Sequence, residues 1–304
     1  MRIIRANEVI PVDHPVFMIF GQPGIGKSTL GYSADKALVL DFDRGAHRAA
    51  NRGDTLVIDS WADIEELMRG GAALEPYHTL VVDTVGRCLD VLTAHLAKQD
   101  PRKFPGGVPS LQGWGALKNT FRQWVSALRE LGKDVLLISH DREDKDGDTR
   151  IVRPDIAGGS YAEVMKVADF VGYLQMSGKD RVLDFSPTDR WIGKNPAGWK
   201  PIKLPTVAKA KTVMADLFAQ GRDALGGMSE EHSKAETQIQ DWRAAIQAYT
   251  TPDEINRQIP IAQHLPPIVM SQVKALLVDR AKALGFTWDK KAQAFVAPAE
   301  AAAV

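Results

Sequence analysis

Gly21-Gln22-Pro23-Gly24-Ile25-Gly26-Lys27-Ser28 fits the pattern G-x-x-x-x-G-K-[ST] at every constrained position, with Thr29 directly behind it. The run Pro15-Val16-Phe17-Met18-Ile19-Phe20 before it has the length of a buried strand, and Ser28 to Ser33 after it can wind as a helix. Strand, glycine loop and helix in that order make a concave anion seat, because successive backbone N–H groups converge at a helix N-terminus. Lys27 adds a point charge there, and the Ser28 hydroxyl is a ligand for a Mg²⁺ ion bridging the phosphates. The expected ligands are therefore a nucleoside triphosphate and Mg²⁺, held by Gly21 through Thr29.

The chain has 304 residues, 44% of them hydrophobic, enough for one sizeable core and a smaller second unit. The expected division is 1–227 for the core and 228–304 for a helical region. Lys+Arg and Asp+Glu each number 38, so no global field draws the protein to nucleic acid or anionic membrane. A single cysteine, Cys88, leaves no internal disulfide framework and fits a reducing compartment. No apolar run approaches a membrane span, and Met1-Arg2-Ile3-Ile4-Arg5 is too charged for a signal peptide, so the expected location is cytoplasmic, without membrane partners.

Downstream, three more apolar runs end in polar side chains, as strands do where they emerge on a ligand side. Ala37-Leu38-Val39-Leu40 leads to Asp41 and Asp43, His78 to Val82 leads to Asp83, and Val135 to Ile138 leads to Ser139-His140. Asp83 reads as the Mg²⁺ carboxylate. Asp43 is a candidate site carboxylate, the alternative being a solvated turn aspartate; for His140 the alternatives are a contact to the terminal phosphate and a histidine satisfied by backbone. Thr55 to Ile58 is a further strand, and Ser60-x-x-Asp63 opens a helix as a capping box.

Residues 100–110 are rich in proline and glycine and carry Arg102, Lys103 and Phe104; residues 141–159 are polar, with a turn at Asp146-Gly147 and the cations Arg150 and Arg153. Both stretches read as mobile loops. Between them Trp114, Leu117, Phe121, Trp124, Val125 and Leu128 recur at helical spacing, so both tryptophans read as core. Ser160-x-x-Glu163 reads as the cap of another helix. Phe170 to Leu174 and Arg181 to Phe185, joined by a turn, read as an antiparallel extension of the sheet, with Arg190 and Lys194 beyond it. The core ends in the glycine-bearing stretch near Gly221 to Gly227. Residues 1–14 suggest a short strand or strap beside the first core strand, and two helices, a small terminal hairpin and a frayed tail from Pro298 fill the C-terminal region.

Phosphate loop, acid after the second core strand, Val81-Val82-Asp83-Thr84 and Ile138-Ser139-His140, in that order, resemble the RecA-type ATPase core over residues 15–200, and more narrowly the phage nucleotide-binding proteins that act as single-strand annealing ATPases. The resemblance implies an α/β fold with a mostly parallel sheet flanked by helices, an antiparallel extension and a small, mainly helical C-terminal region. It also implies ATP hydrolysis with Lys27, Asp43, Asp83 and His140 as catalytic residues, a homo-oligomer (ring or filament) in host cytoplasm, and single-stranded DNA as partner. Arg102, Lys103, Phe104, Arg150 and Arg153 would face that DNA, a neighbouring subunit's Arg190 or Lys194 would supply a cation, and the C-terminal region would recruit a single-strand-binding protein or another recombination partner. The competing functions are a nucleotide-dependent adaptor that recruits partner proteins and a small-molecule P-loop kinase.

Overall fold

The structure, a computed structural model, describes residues 3–69, 73–146, 149–206 and 209–298. Among them, nine strands form one sheet: β1 (Val16–Gly21), β2 (Ala37–Asp41), β3 (Thr55–Val57), β4 (Thr79–Asp83), β5 (Asp134–Asp146), β6 (Thr149–Pro154), β7 (Phe170–Ser177), β8 (Asp180–Asp184) and β9 (Ile202–Lys203). Their order is β3-β2-β4-β5-β1-β7-β8-β9, with β6 added to the far end of β5. From β3 to β7 neighbours run parallel, and β6, β8 and β9 are antiparallel. This is the α/β arrangement expected from the sequence, a mostly parallel sheet flanked by helices with an antiparallel extension.

Both faces of the sheet are covered, which is why its strands are continuous apolar runs with no polar alternation. On one face Val16, Met18 and Phe20 of β1, Leu80 and Val82 of β4, and Val135 and Leu137 of β5 pack with buried residues of α2 (Trp61–Met68), α3 (Val85–Gln99) and α4 (Leu111–Glu130). The intervening Phe17, Ile19, Val81, Leu136 and Ile138 face the other way, against Leu30 of α1 (Lys27–Gly31) and Met214, Leu217 and Phe218 of α6 (Val213–Ala248). The period-two alternation thus assigns each strand's side chains to two cores.

Several expectations are corrected. Trp124 is buried, but Trp114 is 40% exposed and lies against Gly158, so only one of the two tryptophans is core. Residues 141–154 form the β5–β6 hairpin with register Asp141↔Pro154 to Asp146↔Thr149, in place of a mobile loop; Gly147, half of the expected turn, and Asp148 lie outside the described residues. Ser160 is the first residue of α5 (Ser160–Val167), and Gly159 is its cap, so no Ser160 capping box exists. Residues 3–14 form no strand, and Ile3, Ile4, Val9 and Ile10 are exposed. The Ser60–Asp63 capping box is present, and β7–β8 is the expected antiparallel pair.

The chain divides into two compact units, Val12–Leu225 and Met1–Pro11 with Gly226–Val304. In the second unit α7 (Pro252–Ala262), α8 (Pro267–Ala283) and the hairpin β10 (Thr287–Asp289)–β11 (Ala294–Val296) enclose Ile239, Ile246, Ile255, Val273, Leu277 and Phe295. Asn256 clamps the hairpin through both its amide groups, donating to the Phe295 carbonyl at 2.9 Å and accepting from the Phe295 N–H at 2.8 Å. Residues 299–304, most of the expected tail, lie outside the described residues. Among the described residues no helix is long and apolar enough to cross a membrane.

Candidate nucleotide site

The parallel register brings the C-terminal ends of four strands into one row, with Gly21 beside His140 and Asp41 beside Asp83. Crevices at that edge of an open α/β sheet are where ligands bind. Here the glycine loop crosses from β1 to α1, and its shape depends on two constraints. Gly26, the residue before α1, has φ +100° and Gly24 has φ +79°, conformations that cost a side chain dearly. At Gly21 a Cβ would overlap the Leu174 carbonyl of the neighbouring β7, so the close strand approach excludes any larger residue.

A cleft of about 470 Å³ opens over the loop, lined by Pro23, Gly24, Gly26 to Thr29, Asp43, Gly45, Arg48 to Ala50, Asp83, Thr84 and His140. Its centre is Lys27. The ammonium donates to the carbonyls of Gly21 at 2.7 Å and Gln22 at 2.8 Å, and Nδ1 of His140 lies 3.4 Å away. Burial lowers its pKa to about 8, against the raising influence of Asp83, Asp141 and Asp43. Among the described residues its hydrogen-bond partners carry no full negative charge, which phosphate oxygens would add at that range.

Asp83 ends β4 and is buried beside the Ser28 hydroxyl. Burial raises its pKa; Ser28 pulls the other way, and the charges of Asp43 and Asp41 reinforce the rise more than Lys27 relieves it. A hydroxyl and a carboxylate, both oxygen donors, next to a seat for phosphates and short of positive charge, fit Mg²⁺. The peptide bond Asp83–Thr84 is cis.

Asp43 and Asp41 have separated into different tasks. Asp41, almost fully buried, accepts the backbone N–H groups of Asp43 and Gly45 at 3.1 and 3.0 Å on Oδ1 and of Ala46 at 2.9 Å on Oδ2. It shapes the turn that carries Asp43. Asp43 instead reaches the cleft, with Oδ2 3.8 Å from His140 Nε2 and Oδ1 3.3 Å from Arg87 Nε. His140, beside it, does most to lower its pKa, and Arg87 and Arg48 add to the effect against its partial burial. If Lys27 donates to Nδ1, the imidazole carries its proton on Nε2, the nitrogen that faces Asp43. Lys27, His140 and Asp43 therefore form one row.

The residues expected to face DNA lie apart from this row, and each cation has a carboxylate. Arg102 and Lys103 both reach Asp100, at 3.5 and 3.2 Å; Arg150 pairs with Glu143 at 3.5 Å and Arg153 with Asp144 at 3.7 Å. Phe104 is 3% exposed, so its ring is core and unavailable for base stacking, which corrects its expected role. Arg190 is exposed and does not line the cleft of its own chain. Lys194 donates to the Ala168 carbonyl at 2.5 Å, at the end of the sheet opposite the glycine loop.

Two charged residues escaped the sequence reading, Arg48 and Arg87, and Asp41 was read at its strand end without its task of bracing the turn. The one available signal was their place within a few residues of a strand end already recognised as chemical. No curated protein matches the chain. Among solved structures, a KaiC-like protein, PH0186, from the hyperthermophilic archaeon Pyrococcus horikoshii OT3 is similar at 10% identity and a TM-score of 0.34, covering 65% of this chain and 99% of that one, too distant to bear on function. The family model described as AAA domain matches residues 13–197, which hold every side chain of the cleft and more than half of the chain. The protein thus belongs to the AAA-domain family and is a P-loop NTPase.

Proposed function

We propose that the protein is a Mg²⁺-dependent ATPase that binds single-stranded DNA and promotes annealing or strand pairing in phage recombination. The observation that carries the catalytic part is the convergence of Lys27, Ser28 with Asp83, and the Asp43–His140 pair on one cleft. The loop N–H groups and Lys27 hold the phosphates, and Ser28 and Asp83 hold the metal. Mg²⁺, when bound, neutralises charge on the phosphate oxygens. Asp43, kept ionised by His140, Arg87 and Arg48, accepts a hydrogen bond from the attacking water and orients it. A carboxylate with a lowered pKa is a poor proton acceptor, so its contribution is orientation.

For the DNA part, the support is the family resemblance and the continuity of β5: His140 in the cleft and Arg142 stand on the same strand, whose hairpin partner β6 carries Arg150 and Arg153. A change of contact at His140 can therefore move the hairpin as a unit. The test is the rate of ATP hydrolysis with and without single-stranded DNA. Stimulation supports the proposal; ATP hydrolysis that DNA leaves unchanged, together with absent DNA binding, refutes its DNA part. Under that outcome the adaptor reading stands, and one observation already favours it, since all four candidate DNA cations are engaged by carboxylates.

A further inference from the structure

We propose that Arg48 is the cation that closes on the terminal phosphate, supplied by the same chain that holds the nucleotide; the inference rests on the ATPase reading above. Arg48 ends a single 3₁₀ turn, Ala46–Arg48, directly after the Asp41-braced turn. Its own N–H donates to the Gly45 carbonyl at 2.9 Å, and its guanidinium lies over Gly45, where a Cβ would displace it. It lines the nucleotide cleft and also an adjoining cleft of about 510 Å³ whose wall includes Asp43, Thr84, Arg87, Asp90 and His140. Arg48 therefore stands where the two clefts share a wall with Asp43 and His140, on the side of the water-orienting carboxylate.

Its lack of commitments distinguishes it. Arg87 is held by Asp43 at 3.3 Å and Asp90 at 3.0 Å, and Lys27 by two loop carbonyls. Among the described residues Arg48 has no carboxylate within 4.0 Å and no side-chain hydrogen bond, although it faces the charge of Asp43 at longer range. A guanidinium presents five donors in a planar fork suited to phosphate oxygens. In the step it supports, a water oxygen bonds to the terminal phosphorus while the bond from that phosphorus to its bridging oxygen breaks. The bridging oxygen keeps the electron pair and leaves on the diphosphate, and both water protons stay with the product phosphate. Arg48 stabilises negative charge on the phosphoryl group in transit, so a neighbour's cation is not required.

The full-length Arg48→Ala protein tests this through binding as well as turnover, with ATP, ADP and a non-hydrolysable imido analogue of ATP as probes. Loss of a charge-assisted contact to the terminal phosphate should weaken the analogue about 10- to 100-fold and leave ADP within about twofold. Hydrolysis should fall by about 10³-fold or more, with partial recovery in Arg48→Lys. Mixing Arg48→Ala with Lys27→Ala should give no more activity than the two added together, because no subunit then has both groups. Equal weakening of ADP and analogue would reduce Arg48 to a loop-shaping residue and overturn the proposal. Unchanged binding and turnover would overturn it too, and recovery on mixing would show that the cation acts across subunits. A wild-type protein that neither binds nor hydrolyses ATP would instead bring down the ATPase reading, and this inference with it.

Discussion

Triphosphate affinity should fall, and the stability of the ligand-free protein should rise, as pH climbs through the Lys27 titration. The perturbation is pH alone, from 7 to 9. Burial sets the Lys27 pKa at about 8 in place of 10.5, so at pH 7 the ammonium is charged and at pH 9 it is mostly neutral. If bound phosphates return the pKa to its ordinary value, affinity for a non-hydrolysable triphosphate weakens about tenfold across that interval, equivalent to about 1.4 kcal/mol. Folding carries the opposite sign. The unfolded chain, with its lysine near 10.5, binds more protons than the native state between pH 8 and 10.5, so this group contributes stability that grows as pH rises, by about 1.4 kcal/mol from pH 7 to 9. Titration calorimetry at the two pH values measures the first effect, and urea midpoints of wild type against Lys27→Met measure the second as a difference, which cancels the other titrating groups. Equal affinity at pH 7 and 9, or a Lys27→Met protein with the same pH slope as wild type in both assays, would refute the reasoning.

Other substitutions separate the tasks assigned above. Asp83→Asn should abolish Mg²⁺-dependent hydrolysis while keeping much of the nucleotide affinity, read by turnover and a fluorescent-nucleotide titration, because the loop N–H groups still hold the phosphates. Asp43→Asn should slow turnover about 10²-fold or more at nearly unchanged ATP affinity, since an orienting carboxylate touches the nucleotide little; reduced affinity with unchanged turnover would reassign it. Asp41→Ala leaves three partly buried N–H groups without an acceptor and should cost about 1–3 kcal/mol in chemical denaturation, loosening the turn that carries Asp43 and Arg48. Arg102→Ala with Lys103→Ala should weaken single-stranded DNA binding and flatten its salt dependence by about one to two counterions, measured from the slope of log affinity against log salt.

The phosphate loop, the strands and their inward faces were legible in the sequence, because they rest on local chemistry. A left-handed Gly26, an unbroken apolar run such as Val135 to Ile138 and a Ser60–Asp63 cap each declare themselves within a few residues. Which polar side chains at the strand ends would meet was not legible. Asp41 and Asp43 are both carboxylates after the same strand, and only the packed turn shows that one is consumed by backbone N–H groups while the other faces His140, 97 residues further on. The same limit explains Phe104 and the 141–154 hairpin: a Pro/Gly-rich stretch and a highly charged one look mobile by composition, yet the aromatic finds a core, and Arg150 and Arg153 reach Glu143 and Asp144 across the hairpin once the strands pair. Arg48 belongs to this second class. Its residue type was plain from the sequence, but its freedom from a carboxylate and its place beside the nucleotide cleft are properties of the folded surface alone.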